Sequence, residues 1–148
     1  MIARMKNRSV PADIMVPHVC YHDVDAACDW LCRVFGFSES FRYGDPVSGV
    51  QVHRGQAVLM LHRVRDGGLN PAQLGYGTQM LTILVEDVDA HYEIAVEAGA
   101  RIVEDLHETV YGERQYAVDD LEGHRWVWSQ HARDMDPAEW GATVVVEK

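Results

Sequence analysis

The chain has 148 residues, 47% of them apolar and 24% charged, which suits one folded domain with a full-sized core and excludes a disordered chain. Thirteen basic against 23 acidic residues give a net charge of −10, which excludes general nucleic-acid binding and argues against an anionic membrane surface. No apolar run approaches the ~20 residues of a membrane span, and no apolar stretch follows the basic residues 1–8 as in a signal peptide, so the expected location is cytoplasmic.

Taken in chain order, residues 14–21 read as a first strand. Asp23 then offers its carboxylate as a helix N-cap. Val24, Ala27, Cys28, Leu31, Cys32 and Phe35 recur at helical period and form one apolar face, ending at Gly36. Strands follow at 38–42, 49–54 and 57–63, separated by the turns Tyr43-Gly44-Asp45-Pro46 and Arg54-Gly55-Gln56. The segment Arg65-Asp66-Gly67-Gly68-Leu69-Asn70-Pro71 is a turn-rich linker. A second strand–helix pair occupies 79–85 and 88 to about 98, capped by Asp87, with Val88, Tyr92, Ala95 and Val96 expected on the buried face. Three further strands are expected at 101–104, 114–118 and 125–130, with a turn at Asp120-Leu121-Glu122-Gly123. In the tail, Asp136-Pro137-Ala138-Glu139-Trp140 reads as a helical turn, and Val144-Val145-Val146 as a short strand or an ordered end.

The order repeats. Asp23-Val24-Asp25-Ala26 returns as Asp87-Val88-Asp89-Ala90, and each copy follows an apolar run and opens a helix. The chain therefore divides into a first module over 14–63, a second over 78–131, and a C-terminal extension over 132–148, all within one domain. The implied fold class is α+β: two tandem βαβββ modules forming a curved mixed sheet, one face covered by helices and the other lining a concave cavity.

Cys20, Cys28 and Cys32 form an odd set with no secretion signal, so reduced thiols are expected. Cys28 and Cys32, four apart, read as small core residues, with a zinc half-site as the other reading. On the first strand, His18 and Cys20 share the face of Val16, because strand side chains alternate. Gln51 and His53 form a second same-face pair. Each histidine can orient a ligand or act as a base. His22, His91, His107 and His124 fall in polar stretches or turns and read as solvated, whereas His62 reads as pointing to the helix layer or the sheet end. Trp126 and Trp128 share one face, opposite Val127, and are expected beneath a helix.

Several stretches resemble the vicinal-oxygen-chelate superfamily of glyoxalases, bleomycin-resistance proteins and ring-cleaving dioxygenases. They are Val16-Pro17-His18-Val19-Cys20-Tyr21-His22-Asp23-Val24-Asp25-Ala26, Val85-Glu86-Asp87-Val88-Asp89-Ala90-His91, Tyr111-Gly112-Glu113-Arg114-Gln115-Tyr116 and Asp120-Leu121-Glu122-Gly123-His124-Arg125-Trp126. The resemblance implies four metal-ligand positions on the first and last strands of the modules. Carried over by the capping aspartates and the turn before the last strand, these fall on Val16, Leu59, Met80 and Val127. None of the four suits a hard divalent ion, which takes carboxylate or imidazole. No cofactor or metal is therefore expected. The expected partner is a small, partly apolar or aromatic molecule, held against Val16, Leu59, Met80 and Val127 and oriented by His18, Gln51, His53, Arg114 and Tyr116. Arg114 reads equally as a salt-bridge partner of a nearby carboxylate. The resemblance also implies a homodimer. The rival reading is a metal-dependent lyase, isomerase or dioxygenase whose metal site lies elsewhere.

Overall fold

The computed structural model describes residues 6–9 and 15–146. Eight strands form two four-stranded mixed sheets. The first module runs β1 (His18–Tyr21), α1 (Val24–Trp30), a π-helical turn (Leu31–Phe35), β2 (Ser38–Tyr43), β3 (Gly49–Arg54) and β4 (Ala57–Arg63). Its sheet has the order β1-β4-β3-β2, with β1 parallel to β4 and the other pairs antiparallel. After a short α2 (Pro71–Leu74) the second module repeats the pattern with β5 (Met80–Leu84), α3 (Val88–Glu97), β6 (Arg101–Glu108), β7 (Glu113–Asp119) and β8 (Arg125–His131), in the order β5-β8-β7-β6. The expected strand start at Ile14 lies outside the described residues.

The duplicated Asp-Val-Asp-Ala motif has one physical role in both copies. Asp23 and Asp87 sit at the N-caps of α1 and α3, and each carboxylate accepts the backbone N–H three residues on, Ala26 and Ala90, at 3.0 Å. The first helix widens into the π turn and stops at Gly36, whose φ of +81° is a left-handed conformation that glycine adopts without a Cβ clash.

The two modules share one core. Val19, Tyr21, Val50, Val52, Leu59 and Leu61 of the first sheet face α1 and the π turn. Phe35, at the end of that turn, reaches the second sheet, with ring centroids 5.4 Å from Trp126 and 4.9 Å from Trp128. Trp126, Trp128, Tyr116 and Val118 are all buried in the same cluster, which places the two tryptophans beneath the helices, as their shared parity implies. Since the helix-facing sides of both sheets close on this one core, the other side of each sheet is turned away from it.

A second tie lies at the turn before β8. The buried Asp120 carboxylate accepts Tyr21 Oη at 2.6 Å and Trp126 Nε1 at 3.0 Å, together with the backbone N–H groups of Glu122 and His124. Glu122 accepts the backbone N–H groups of His22 and Asp23 and the Asn70 side chain, at 2.7–3.1 Å. One turn thus fastens the start of α1, the linker and β8. Gly123 permits the approach, since a Cβ there would stand 2.6 Å from the backbone nitrogen of Ala72.

Three details differ from the sequence reading. Val96 is exposed and His91 takes its place on the buried face of α3, because that helix packs through Val88, His91 and Ala95 at i, i+3 and i+7. The linker contains α2, nucleated by a capping box between Asn70 and Gln73 with Pro71 at the first position. Residues 137–140 form the expected helical turn, of 3₁₀ type, whereas Val144, Val145 and Val146 pair with no strand and are exposed. No helix among the described residues is long and apolar enough to cross a membrane.

Candidate functional site

Register decides which side chains share the open face of each sheet. In the first sheet, His18 is opposite Met60 and Met60 is opposite Gln51, while Cys20 is opposite His62 and His53 opposite Val58. Directly opposed residues project from the same side. The open face therefore carries His18, Cys20, Gln51, His53, Val58, Met60 and His62. In the second sheet it carries Met80, Thr82, Ala117, Asp119, Arg125, Val127 and Ser129.

Of the nine residues expected to line the cavity, this face holds His18, Gln51, His53, Met80 and Val127. Val16 precedes β1 by two residues and keeps the parity of His18. Leu59 belongs to the opposite, helix-facing side, 3% exposed in the core. The β4 assignment is thus off by one residue, and Met60 stands where Leu59 was placed. A run of five apolar side chains, Ala57 to Leu61, offers no alternation from which the register can be read.

Tyr116 and Arg114 also leave the expected site. Both project to the helix side, where each meets a residue of α3. The Arg114 guanidinium grips the Asp89 carboxylate with two hydrogen bonds, at 3.0 and 2.8 Å, which realises its salt-bridge reading. Tyr116 is fully buried and donates its hydroxyl to His91 Nδ1 at 2.6 Å. The opposite ring nitrogen, His91 Nε2, donates to the Phe35 carbonyl at 3.1 Å, joining α3 to the first module. His91 is therefore a buried neutral histidine, not a solvated one. Burial is the main cause that lowers its pKa from 6.5 to about 4, and the Arg54 guanidinium adds to the effect. Two spaced pairs, Asp89/His91 on α3 and Arg114/Tyr116 on β7, clamp a helix to its sheet.

Two polar residues on the open face are already engaged. Gln51, 1% exposed, donates its amide to the Ser9 carbonyl at 2.8 Å, and also lies 3.5 Å from Met60 Sδ. His53 shares a 2.7 Å hydrogen bond with Ser40 Oγ. His18 and His62 meet each other, Nδ1 to Nε2, at 2.6 Å. This places His62 on the open face and not in the helix layer.

A groove of about 900 Å³ crosses one end of the second open face. A single row of opposed residues from all four strands, Met80, Arg125, Asp119 and Arg101, forms its floor, and Tyr76 of the linker stands beside it. Arg125 is fixed to Asp119 at 2.9 Å, while Met80 and Tyr76 are both 63% exposed. Sequence reasoning identified only Met80 in this group. The available signal was the alternation of polar residues in β7 and β8.

The donor set can be tested against a metal. After the register correction, the four positions carry Val16, Met60, Met80 and Val127, two aliphatic side chains and two thioethers. These do not fit a divalent ion that takes nitrogen and carboxylate oxygen. Among the described residues, no three His, Cys, Asp or Glu side chains converge.

Two βαβββ modules, each with a helix-covered and an open sheet face, define the class of fold. Residues 14–127 match the Glyoxalase/Bleomycin resistance protein/Dioxygenase superfamily, and the chain belongs to it. The chain is similar to TioX from Micromonospora sp. ML1, at 34% identity over 81% of this chain and 99% of that one, with a TM-score of 0.69. A superfamily enzyme from Burkholderia phytofirmans PsJN shares the fold, at 19% identity, 81% and 99% coverage, and a TM-score of 0.63. An uncharacterized protein of Mycobacterium bovis is 30% identical over 129 residues, 81% of this chain and 84% of its own length.

Proposed function

We propose that this protein binds a small, partly apolar or aromatic molecule on the open faces of its sheets, without a metal at the four positions where its superfamily places one, and so sequesters an antibiotic or metabolite. One observation carries the reading: once register is assigned, those positions hold Val16, Met60, Met80 and Val127. Apolar walls with a few polar groups at the margin make a binding surface for a flat organic molecule. His53 and the Arg125–Asp119 pair supply the polar margin.

A second copy of the chain completes the cavity in this reading. Each open face is turned away from the shared core, and the β5 edge exposes Met80 and Leu84, at 63% and 69%. Burying such side chains is worth ~1.5–3 kcal/mol each. A homodimer that sets the first sheet of one copy over the second sheet of the other encloses the ligand between them.

The test is a thermal-shift screen of aromatic antibiotics and metabolites, followed by calorimetric titration of the hits. The expected result is one ligand per chain, with binding abolished by Val127→Arg, which places a charge at the centre of the second open face. Unchanged affinity in that variant overturns the assignment of the face. A metal-dependent enzyme is the second reading, and the His18–His62 contact is the observation that favours it.

A further inference from the structure

We propose that His18 and His62 form a two-imidazole site for a late first-row divalent metal ion on the open face of the first sheet. The site is separate from the four apolar superfamily positions, and its test uses the metal alone, so it stands or falls independently of the ligand-binding reading.

The geometry starts from register. His18 is opposite Met60 and Cys20 is opposite His62 on the parallel pair β1–β4, so the two histidines are diagonal neighbours on one face. Their rings are within 8° of parallel, with centroids 4.7 Å apart and His18 Nδ1 2.6 Å from His62 Nε2. That separation is well below the ~3.5 Å at which stacked rings touch. The rings therefore meet edge to edge, nitrogen toward nitrogen. A single N–H fills the gap between them.

A divalent ion takes the place of that proton, which moves through solvent to the other nitrogen of the same ring, so both imidazoles stay neutral. At ~2.0–2.1 Å from each nitrogen, in tetrahedral geometry, the ion needs the nitrogens roughly 3.3 Å apart, so the nitrogens part by less than an ångström and the rings tilt to aim both lone pairs at it. Imidazole suits zinc, nickel and copper. His18 is exposed and His62 half-buried, so the site is open to solvent, and the chain supplies two ligands while water or a ligand oxygen completes the shell. The Tyr43 hydroxyl, 3.5 Å from His62 Nδ1, approaches the far side of that ring. The other exposed histidine pairs differ in kind: His107 and His131 each sit against a carboxylate, Glu104 at 3.0 Å and Glu113 at 2.8 Å.

The experiment is a Zn²⁺ titration of the metal-stripped full chain, read by long-range ¹H–¹⁵N correlation of the imidazole rings and by calorimetry. The expected result is one ion per chain, with metallation shifts at His18 Nδ1 and His62 Nε2. His18→Asn and His62→Asn each weaken binding at least tenfold, and the double variant His107→Asn/His131→Asn leaves it unchanged. Shifts confined to His107 or His131, or affinities within twofold of wild type in both His18→Asn and His62→Asn, overturn the proposal. The ring shifts are read on the wild-type chain, so the outcome does not depend on how the variants fold.

Discussion

Replacing His91 with Phe keeps a ring in the core but removes both hydrogen bonds. The Tyr116 hydroxyl and the Phe35 carbonyl then lose the partners they hold at 2.6 and 3.1 Å. Each buried group left unpaired costs ~1–3 kcal/mol, so the variant is expected to be less stable by roughly 2–6 kcal/mol at pH 7. A pH signature accompanies this loss. The folded-state pKa of His91 is about 4, against an ordinary value of 6.5. As pH falls through 6.5, the unfolded chain takes up the proton first, and stability drops until the folded chain follows near pH 4. A gap of that size corresponds to about 3 kcal/mol, present in full above pH 6.5 and lost by about pH 4. Urea unfolding of the wild type and of His91→Phe from pH 7.5 to 4 measures the difference directly, because the other histidines are common to both. The stability gap between the two proteins should narrow as pH falls. A constant gap, or one below 0.5 kcal/mol throughout, refutes the clamp.

Asp120→Asn replaces one of two acceptor oxygens with an NH2 donor, and the remaining oxygen cannot accept from both the Tyr21–Trp126 side and the backbone N–H groups of Glu122 and His124, so a loss of about 3 kcal/mol is expected in chemical denaturation. Arg114→Ala should leave ligand affinity unchanged in calorimetry, because its guanidinium is committed to Asp89 on the helix side. Thiol titration of the native protein should find one fast cysteine: Cys20 is exposed, whereas burial is the main cause pushing the Cys28 thiol up to about 12, and burial likewise raises Cys32. Two or three equally fast thiols would contradict that packing. His53→Ala should weaken a bound ligand by ~1–3 kcal/mol while leaving the melting temperature nearly unchanged, since its visible partner is the exposed Ser40.

Much of the fold is legible in the sequence because it rests on local signals. Asp23 and Asp87 mark helix starts, Gly36 marks a stop, and the duplicated motif gives the two modules. The site is less legible because it depends on register. β4 is apolar on both faces from Ala57 to Leu61, so only its pairing with β1 shows that Met60, not Leu59, shares the face of His18. Arg114 and Tyr116 fall in a motif-like segment, but their partners Asp89 and His91 lie on α3, 25 residues earlier. The helical period of α3 had pointed to Tyr92 and Val96. A histidine with two internal partners can be buried where a solvated one was expected. The Asp120–Glu122 hub was visible only as a turn, since its partners are spread over the β1–α1 junction and the linker.

Calorimetric titration of an aromatic ligand in excess chelator tests the central claim most directly. The account predicts one site per chain, with an affinity unaffected by stripping all metal. Binding that vanishes in chelator and returns on adding a divalent ion would contradict it, and would make this chain a metal-dependent member of its superfamily.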